Sequence, residues 1–307
     1  MPATAASPPK TVQNSPSRYN PGVRAELAKL WQYRELIPSL VSRDLKVRYK
    51  RSFLGFFWSL INPLLTVFVI SYTFKTVLND LTQSISAYIL AAYLPYMFFS
   101  MAVMDATSSV QNNLGLVKKI YFPREILPIA SIISNFIHFL LAMGVFFAYL
   151  LAVYAIHPQT SPFQWTSIYL PLLLVINFVM ACGFGLLFSA LNTFYEDVKY
   201  IVGFVMQMLL FLSPIMYFVE KIYYVSSPRH WFVYNAINPL AVLCNAYRKI
   251  LLAPQPVSIP MGDQNVMKPP LGIEWGWIAY AGVLAVVVFV VGYSVFNRYK
   301  WKFVERP

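Results

Sequence analysis

The stretch Ser42–Lys75, SRDLKVRYKRSFLGFFWSLINPLLTVFVISYTFK, decides the fold. Its first ten residues carry five cations, Arg43, Lys46, Arg48, Lys50 and Arg51, against one anion, Asp44. The 23 residues from Ser52 to Phe74 then contain no Asp, Glu, Lys or Arg. At about 1.5 Å per helical residue such a run reaches roughly 34 Å, enough to cross a hydrocarbon core of about 30 Å. Lys and Arg clustered beside a spanning segment stay on the cytoplasmic side, so this block orients everything that follows. Positive-inside retention accounts for the charge by itself.

Composition agrees. Of 307 residues, 58% are hydrophobic and 12% charged, against about 25% charged in a soluble domain. The chain therefore reads as a polytopic membrane protein. Its net charge of +12 does not point to nucleic acid, because the cations sit at the ends of apolar runs and not along one solvent face. Cys182 and Cys244 make neither a metal pattern nor a disulfide framework and read as small buried residues. No GxxxxGK[ST] sequence occurs, so the chain has no P-loop with which to hydrolyse ATP.

Outward from the opening stretch, residues 1–22 hold five prolines (Pro2, Pro8, Pro9, Pro16 and Pro21) and read as a disordered tail without a signal-peptide core. Residues 23–52 are expected to form an amphipathic interfacial helix and its basic flank. Leu27, Leu30, Trp31, Ile37, Leu40 and Val41 share one side, with Lys29, Gln32, Glu35 and Ser39 roughly opposite. Trp31 would sit at headgroup level and Arg34, on the apolar side, would snorkel. Pro38 is expected to kink or divide this helix.

Six spans are expected within 53–299, at about 53–75, 85–110, 127–155, 167–191, 201–219 and 276–297, giving an all-α integral membrane protein. Between Ile126 and Tyr195 lie 70 residues without one Asp, Glu, Lys or Arg, broken by His157-Pro158 and Ser161-Pro162. Asp105 lies near the inner end of the second span, where a solvated or helix-capping carboxylate is expected, and His138 reads as a packing residue. The region 220–274 is harder. Trp231–Leu252, WFVYNAINPLAVLCNAYRKILL, is apolar enough to enter a membrane but is interrupted by Asn235, Asn238-Pro239 and Asn245. As a seventh span it would place the basic C-terminus outside. With six spans, 18 of the 24 Lys and Arg residues fall inside. The segment is therefore expected as short re-entrant or surface-lying helices, with 111–125 and 300–307 cytoplasmic.

The wording adds a resemblance. Arg43-Asp44, Arg48-Tyr49-Lys50, Ser52, Leu54-Gly55, Trp58 and Asn62-Pro63-Leu64 resemble the opening of the membrane permease subunit of polysaccharide-exporting ABC transporters, the O-antigen and teichoic-acid type. Further on, LVKKIYFPREILP (Leu116 to Pro128), Phe194 to Val198 and Ser213-Pro214 are similar to the same family. The resemblance implies a homodimer working with two copies of a separate ATP-hydrolysing subunit, which would hold the ATP and Mg²⁺, and no cofactor in this chain. It implies export of a lipid-linked glycan across the bacterial inner membrane, with both termini cytoplasmic.

It also implies roles for particular residues. The loop 111–125 would carry the coupling helix that docks on the ATPase, with Leu116, Lys118, Lys119, Tyr121, Phe122, Arg124 and Glu125 as contacts. Region 220–274 would hold gate helices at the periplasmic end. Trp31, Arg34, Arg43, Lys46, Arg48, Lys50 and Arg51 stand at the cytoplasmic mouth, where they attract anionic lipid or a pyrophosphate head group, although orientation alone explains them. Tyr72, Tyr88, Tyr93 and Phe98 are candidate pore aromatics. Two alternatives stay open. A membrane-embedded glycosyl- or acyltransferase would need a carboxylate or histidine constellation, for which His138, His157 and His230 give little material. An ABC exporter of drugs or lipids would share the fold.

Overall fold

The structure, a computed structural model, describes residues 32–49, 56–76, 85–120, 122–156, 164–254, 256–261 and 264–304. The tail 1–22, Trp31, Lys50, Arg51 and Tyr121 lie outside the described residues, as does the side chain of Arg48.

Each long apolar run becomes a helix. In chain order these are α1 (Leu36–Tyr49), α2 (Phe56–Thr76), α3 (Ile85–Asn112), α4 (Leu114–Lys119) and α5 (Ile126–Ile156). A 3-10 turn at Trp165–Tyr169 leads into α6 (Leu170–Phe194), where Pro171 occupies the first turn and its missing N–H costs nothing. Next come α7 (Val198–Leu212), three short helices α8 (Val219–Val225), α9 (Pro228–Ile237) and α10 (Pro239–Leu251), strands β1 (Val257–Met261) and β2 (Gln264–Lys268), and α11 (Trp275–Tyr299). Among the described residues, α3, α5, α6 with its leading turn, and α11 are long and apolar enough to cross a membrane. The protein is a multi-pass, mostly helical membrane protein.

Helix α3 is the centre of the bundle, packing against α2, α5, α6, α7 and α10. Pro95 within it leaves one helical N–H missing. Asn177 of α6 reaches across, donating from Nδ2 to the Pro95 carbonyl at 3.1 Å. Helices α6 and α11 make the most extensive contact. It rests on two glycines: a Cβ on Gly183 would stand 2.6 Å from the Phe289 amide nitrogen, and one on Gly292 would strike the Gly183 carbonyl oxygen. Small residues that let backbones touch are how helices associate where no hydrophobic effect draws them together.

The structure corrects the sequence reading in three places. The segment expected as a span over 201–219 is helical only over Val198–Leu212. Pro214 disfavours helical backbone at Ser213, which is extended (φ −88°, ψ 146°). Its 15 residues give about 22 Å, short of a hydrocarbon core. The fold is not purely α-helical, since β1 and β2 pair antiparallel with Ile259 opposite Val266. Pro38 does not divide the interfacial helix: it lies in the first turn of α1, and the break falls before it, in a turn at 33–35. Within 111–125, the short helix α4 follows α3 after Asn113 alone.

Candidate functional site at the two ends of the bundle

The helix ends gather the polar side chains into two groups. At one end lie α1, α4, the turn before α5, and the residues after α11. Leu40 and Val41 of α1 pack with Val110, Val117, Phe122 and Phe303 in an apolar cluster. Arg34 and Lys46 stay exposed, and Arg43 is committed to Asp44 at 2.9 Å. This is the basic end, which also holds Lys118, Lys119, Arg124, Lys199, Arg298, Lys300 and Lys302.

The residues expected to contact an ATPase divide here. Val117 anchors α4, Leu116 is half-buried, and Lys118, Lys119 and Ile120 are exposed. Phe122 and Glu125 instead face inward, Glu125 only 2% exposed. The Lys300 ammonium lies 3.4 Å from Glu125 Oε1, and the half-buried Arg124 donates from Nη1 to the Lys300 carbonyl. So Phe122, Arg124 and Glu125 bind the C-terminal segment to the start of α5, while the lysines are left for solvent or a partner.

A second fastening at this end was not apparent from sequence. Asn192, fully buried, donates to the Thr107 carbonyl at 3.1 Å and to Gln111 Oε1 at 2.9 Å. It accepts from the Lys199 amide at 3.1 Å, and Gln111 Nε2 returns a bond to the Asn192 carbonyl at 2.8 Å. One amide side chain thus joins α3, α6 and α7. The alternating apolar pattern of the spans carries no trace of such a pairing.

At the opposite end Arg248 of α10 is 1% exposed. Its guanidinium donates to three backbone carbonyls: Nε to Tyr88 at 3.0 Å, Nη1 to Tyr217 at 3.1 Å, and Nη2 to Ile215. It also lies 3.9 Å from the centroid of the Tyr88 ring, whose other face stacks on Phe218. The Ile215 and Tyr217 carbonyls are available because α7 stops at Leu212. The Leu212 carbonyl itself accepts from the Tyr217 and Tyr234 hydroxyls, each at 2.9 Å. Asn238 caps α10, its Oδ1 accepting from the Ala241 amide at 3.0 Å. Beside it, Lys249 donates from Nζ to the Gly272 carbonyl at 3.0 Å.

The four aromatics expected along a pore are not brought together. Tyr72 is 62% exposed on α2, Tyr88 sits under Arg248, and Tyr93 is half-buried. Phe98 is inside the bundle, its ring 5.1 Å from that of Phe139. His138 is buried near it, with Phe139. Among the described residues no group of three or more His, Cys, Asp or Glu is placed to hold a metal.

Among the described residues the structure is thus a bundle of helices, four of them apolar and long enough to cross a membrane, with a short basic helix at one end and three short helices at the other. Residues 35–252 match the ABC-2 type transporter family, and the chain belongs to it. It is 28% identical over 271 residues to the O-antigen export system permease protein RfbA of Klebsiella pneumoniae, covering 88% of this chain and 94% of that protein. A permease of the same description from Myxococcus xanthus is 28% identical over 222 residues, 72% of this chain and 82% of its own length. The polysialic acid transport protein KpsM of Escherichia coli is 22% identical over 223 residues, 70% of this chain and 81% of that protein.

Proposed function

We propose that this chain is the permease subunit of an ATP-driven exporter that carries a lipid-linked polysaccharide across the bacterial inner membrane. The observation that carries the reading is the alignment, along 88% of the chain, with an O-antigen export permease. ATP and Mg²⁺ would be bound by a separate ATPase, two copies of which dock on a homodimer of this chain. The exposed Lys118, Lys119 and Ile120 on a short helix anchored by Val117 supply a docking surface whose movement reaches α3 directly. We further propose six spans, with α2 and the short α7 as the first and fifth, and both termini cytoplasmic. The basic residues collected at one end support that orientation. A short α7 suits a fifth span if α8, α9 and α10 complete the crossing as re-entrant helices covered by protein.

The test is deletion of the gene in its host together with affinity purification of the tagged chain from native membrane. Loss of surface glycan with intracellular accumulation of lipid-linked glycan, and co-elution of a P-loop ATPase, is the expected result. A chain that purifies alone and transfers sugar between lipid carriers would overturn the proposal.

A further inference from the structure

Two exposed elements at the basic end spring from one fastening. Gln111, in the last turn of α3, and Asn192, in the last turn of α6, exchange hydrogen bonds at 2.8 and 2.9 Å. Three residues beyond Gln111, α4 begins at Leu114, and the Asn113 carbonyl secures its start by accepting from the Leu116 and Val117 amides at 2.9 and 3.0 Å. Three residues beyond Asn192 comes Tyr195, which opens the short connection Tyr195-Glu196-Asp197 to α7. The Asn192 side chain also holds the far side of this connection, accepting from the Lys199 amide at 3.1 Å. Both elements are therefore placed by the same pair of amides. Helices packed as α3 and α6 are stand about 8–10 Å apart. The two elements thus begin well within the roughly 800 Å² that one partner covers in a standard interface.

Their chemistry is opposite. Helix α4 shows Lys118, Lys119 and Ile120 to the outside, and the connection shows Tyr195, 67% exposed, with Glu196 and Asp197 exposed beside it. Acidic residues in such a place ordinarily cap the next helix or pair with neighbouring cations. These do neither. Asp197 stands at the N-cap of α7 without a side-chain cap bond, and among the described residues neither carboxylate enters an ion pair. Lys199, the cation closest in sequence, instead has its ammonium 5.0 Å from the centroid of the Tyr200 ring.

We propose that Tyr195, Glu196 and Asp197 form a second contact for the ATPase, opposite in sign to α4. The proposal rests on the exporter reading above and deepens it by defining the partner's surface. That surface carries carboxylates facing Lys118 and Lys119, an apolar seat for Ile120 and, about one helix spacing away, an arginine. Arginine suits the acidic contact because its guanidinium pairs with a carboxylate through two parallel bonds and stacks on an aromatic face such as that of Tyr195. Two contacts of opposite sign also fix orientation. An ATPase turned end for end sets like charges against each other, which a single basic helix does not prevent.

The test uses the full chain in lipid nanodiscs and the P-loop ATPase that co-elutes with it from native membrane, purified separately. Glu196→Gln with Asp197→Asn removes both charges without breaking a cap bond. The apparent Kd should weaken at least about tenfold and lose part of its salt dependence, with chain abundance and elution volume unchanged. An unaltered Kd overturns the second contact. In a second measurement Glu196→Cys carries a maleimide–benzophenone probe, with Cys182 and Cys244 both buried. Irradiating the assembled complex should join the chain to the ATPase, and adducts with lipid or with the chain alone overturn the proposal. Failure of the exporter reading looks different: no P-loop ATPase co-elutes with the unaltered chain, which removes both. If the ATPase binds and responds to Lys118→Glu with Lys119→Glu but not to the acidic pair, only the second contact fails.

Discussion

Each end of the bundle buries a cation, and the two are neutralised by different means. At the basic end Lys300 lies 3.4 Å from the carboxylate of Glu125. At the opposite end Arg248 has three backbone carbonyls and an aromatic face. The first arrangement needs two charged residues 175 positions apart. The second needs one, because the broken chain after α7 already exposes carbonyls that no helix uses. A guanidinium suits it: a rigid fork with five donors reaches several acceptors at once, which a single ammonium cannot. The contrast implies that the opposite end depends on one side chain and the basic end on a pair.

Arg248→Met should therefore have the largest effect. It leaves buried carbonyls of Tyr88, Ile215 and Tyr217 without a donor and should destabilise the chain by about 3–5 kcal/mol. Thermal unfolding in detergent followed by a thiol-reactive dye, reporting on Cys182 and Cys244, would measure it. Arg248→Lys should recover less than half of that loss, and full recovery would show that charge alone matters there. Next in size is Glu125→Gln, which removes the counter-charge of the Lys300 ammonium and should cost about 1–3 kcal/mol. Adding Lys300→Met should restore much of it, and a double-mutant cycle with no coupling energy would dissolve the contrast between the ends. Midway between them, Gly183→Ala forces α6 from α11 and should cost about 1–3 kcal/mol. It should leave the Arg248 and Glu125 effects additive, as sites with no shared partner are. The smallest effect on stability, below about 0.5 kcal/mol, belongs to Lys118→Glu with Lys119→Glu. Those exposed residues should still abolish co-elution of the ATPase. Retained co-elution would mean that the partner docks elsewhere.

Four of the expected spans were legible because uncharged runs have few other uses, and α3, α5, α6 and α11 follow them closely. The early end of α7 was half-legible. Ser213-Pro214 stood in plain sight, but the apolar residues beyond it, Ile215, Met216 and Phe218, extended the run past its break. The hairpin had a signal too: Val257, Ile259 and Met261 alternate before Gly262-Asp263, a turn pair. A short strand with one apolar face is faint beside long helical runs. Arg248 stands four residues before the end of the apolar segment Trp231–Leu252. Its burial follows from carbonyls freed some thirty residues upstream, which local pattern does not record. Phe122 and Glu125 were grouped with Lys118 and Lys119 by the family resemblance, and the turn before α5 faces them inward.

Helix α3 joins both ends in a single rod. Its 28 residues extend about 42 Å, from the first turn held by Arg248 through the Tyr88 carbonyl to Asn112, one residue short of α4. On a lever of that length a tilt of about 5° swings the far tip through roughly 4 Å, more than a hydrogen bond can stretch. A rigid tilt of α3 by that much would therefore have to carry α10 along or break the bond from Arg248 Nε to the Tyr88 carbonyl.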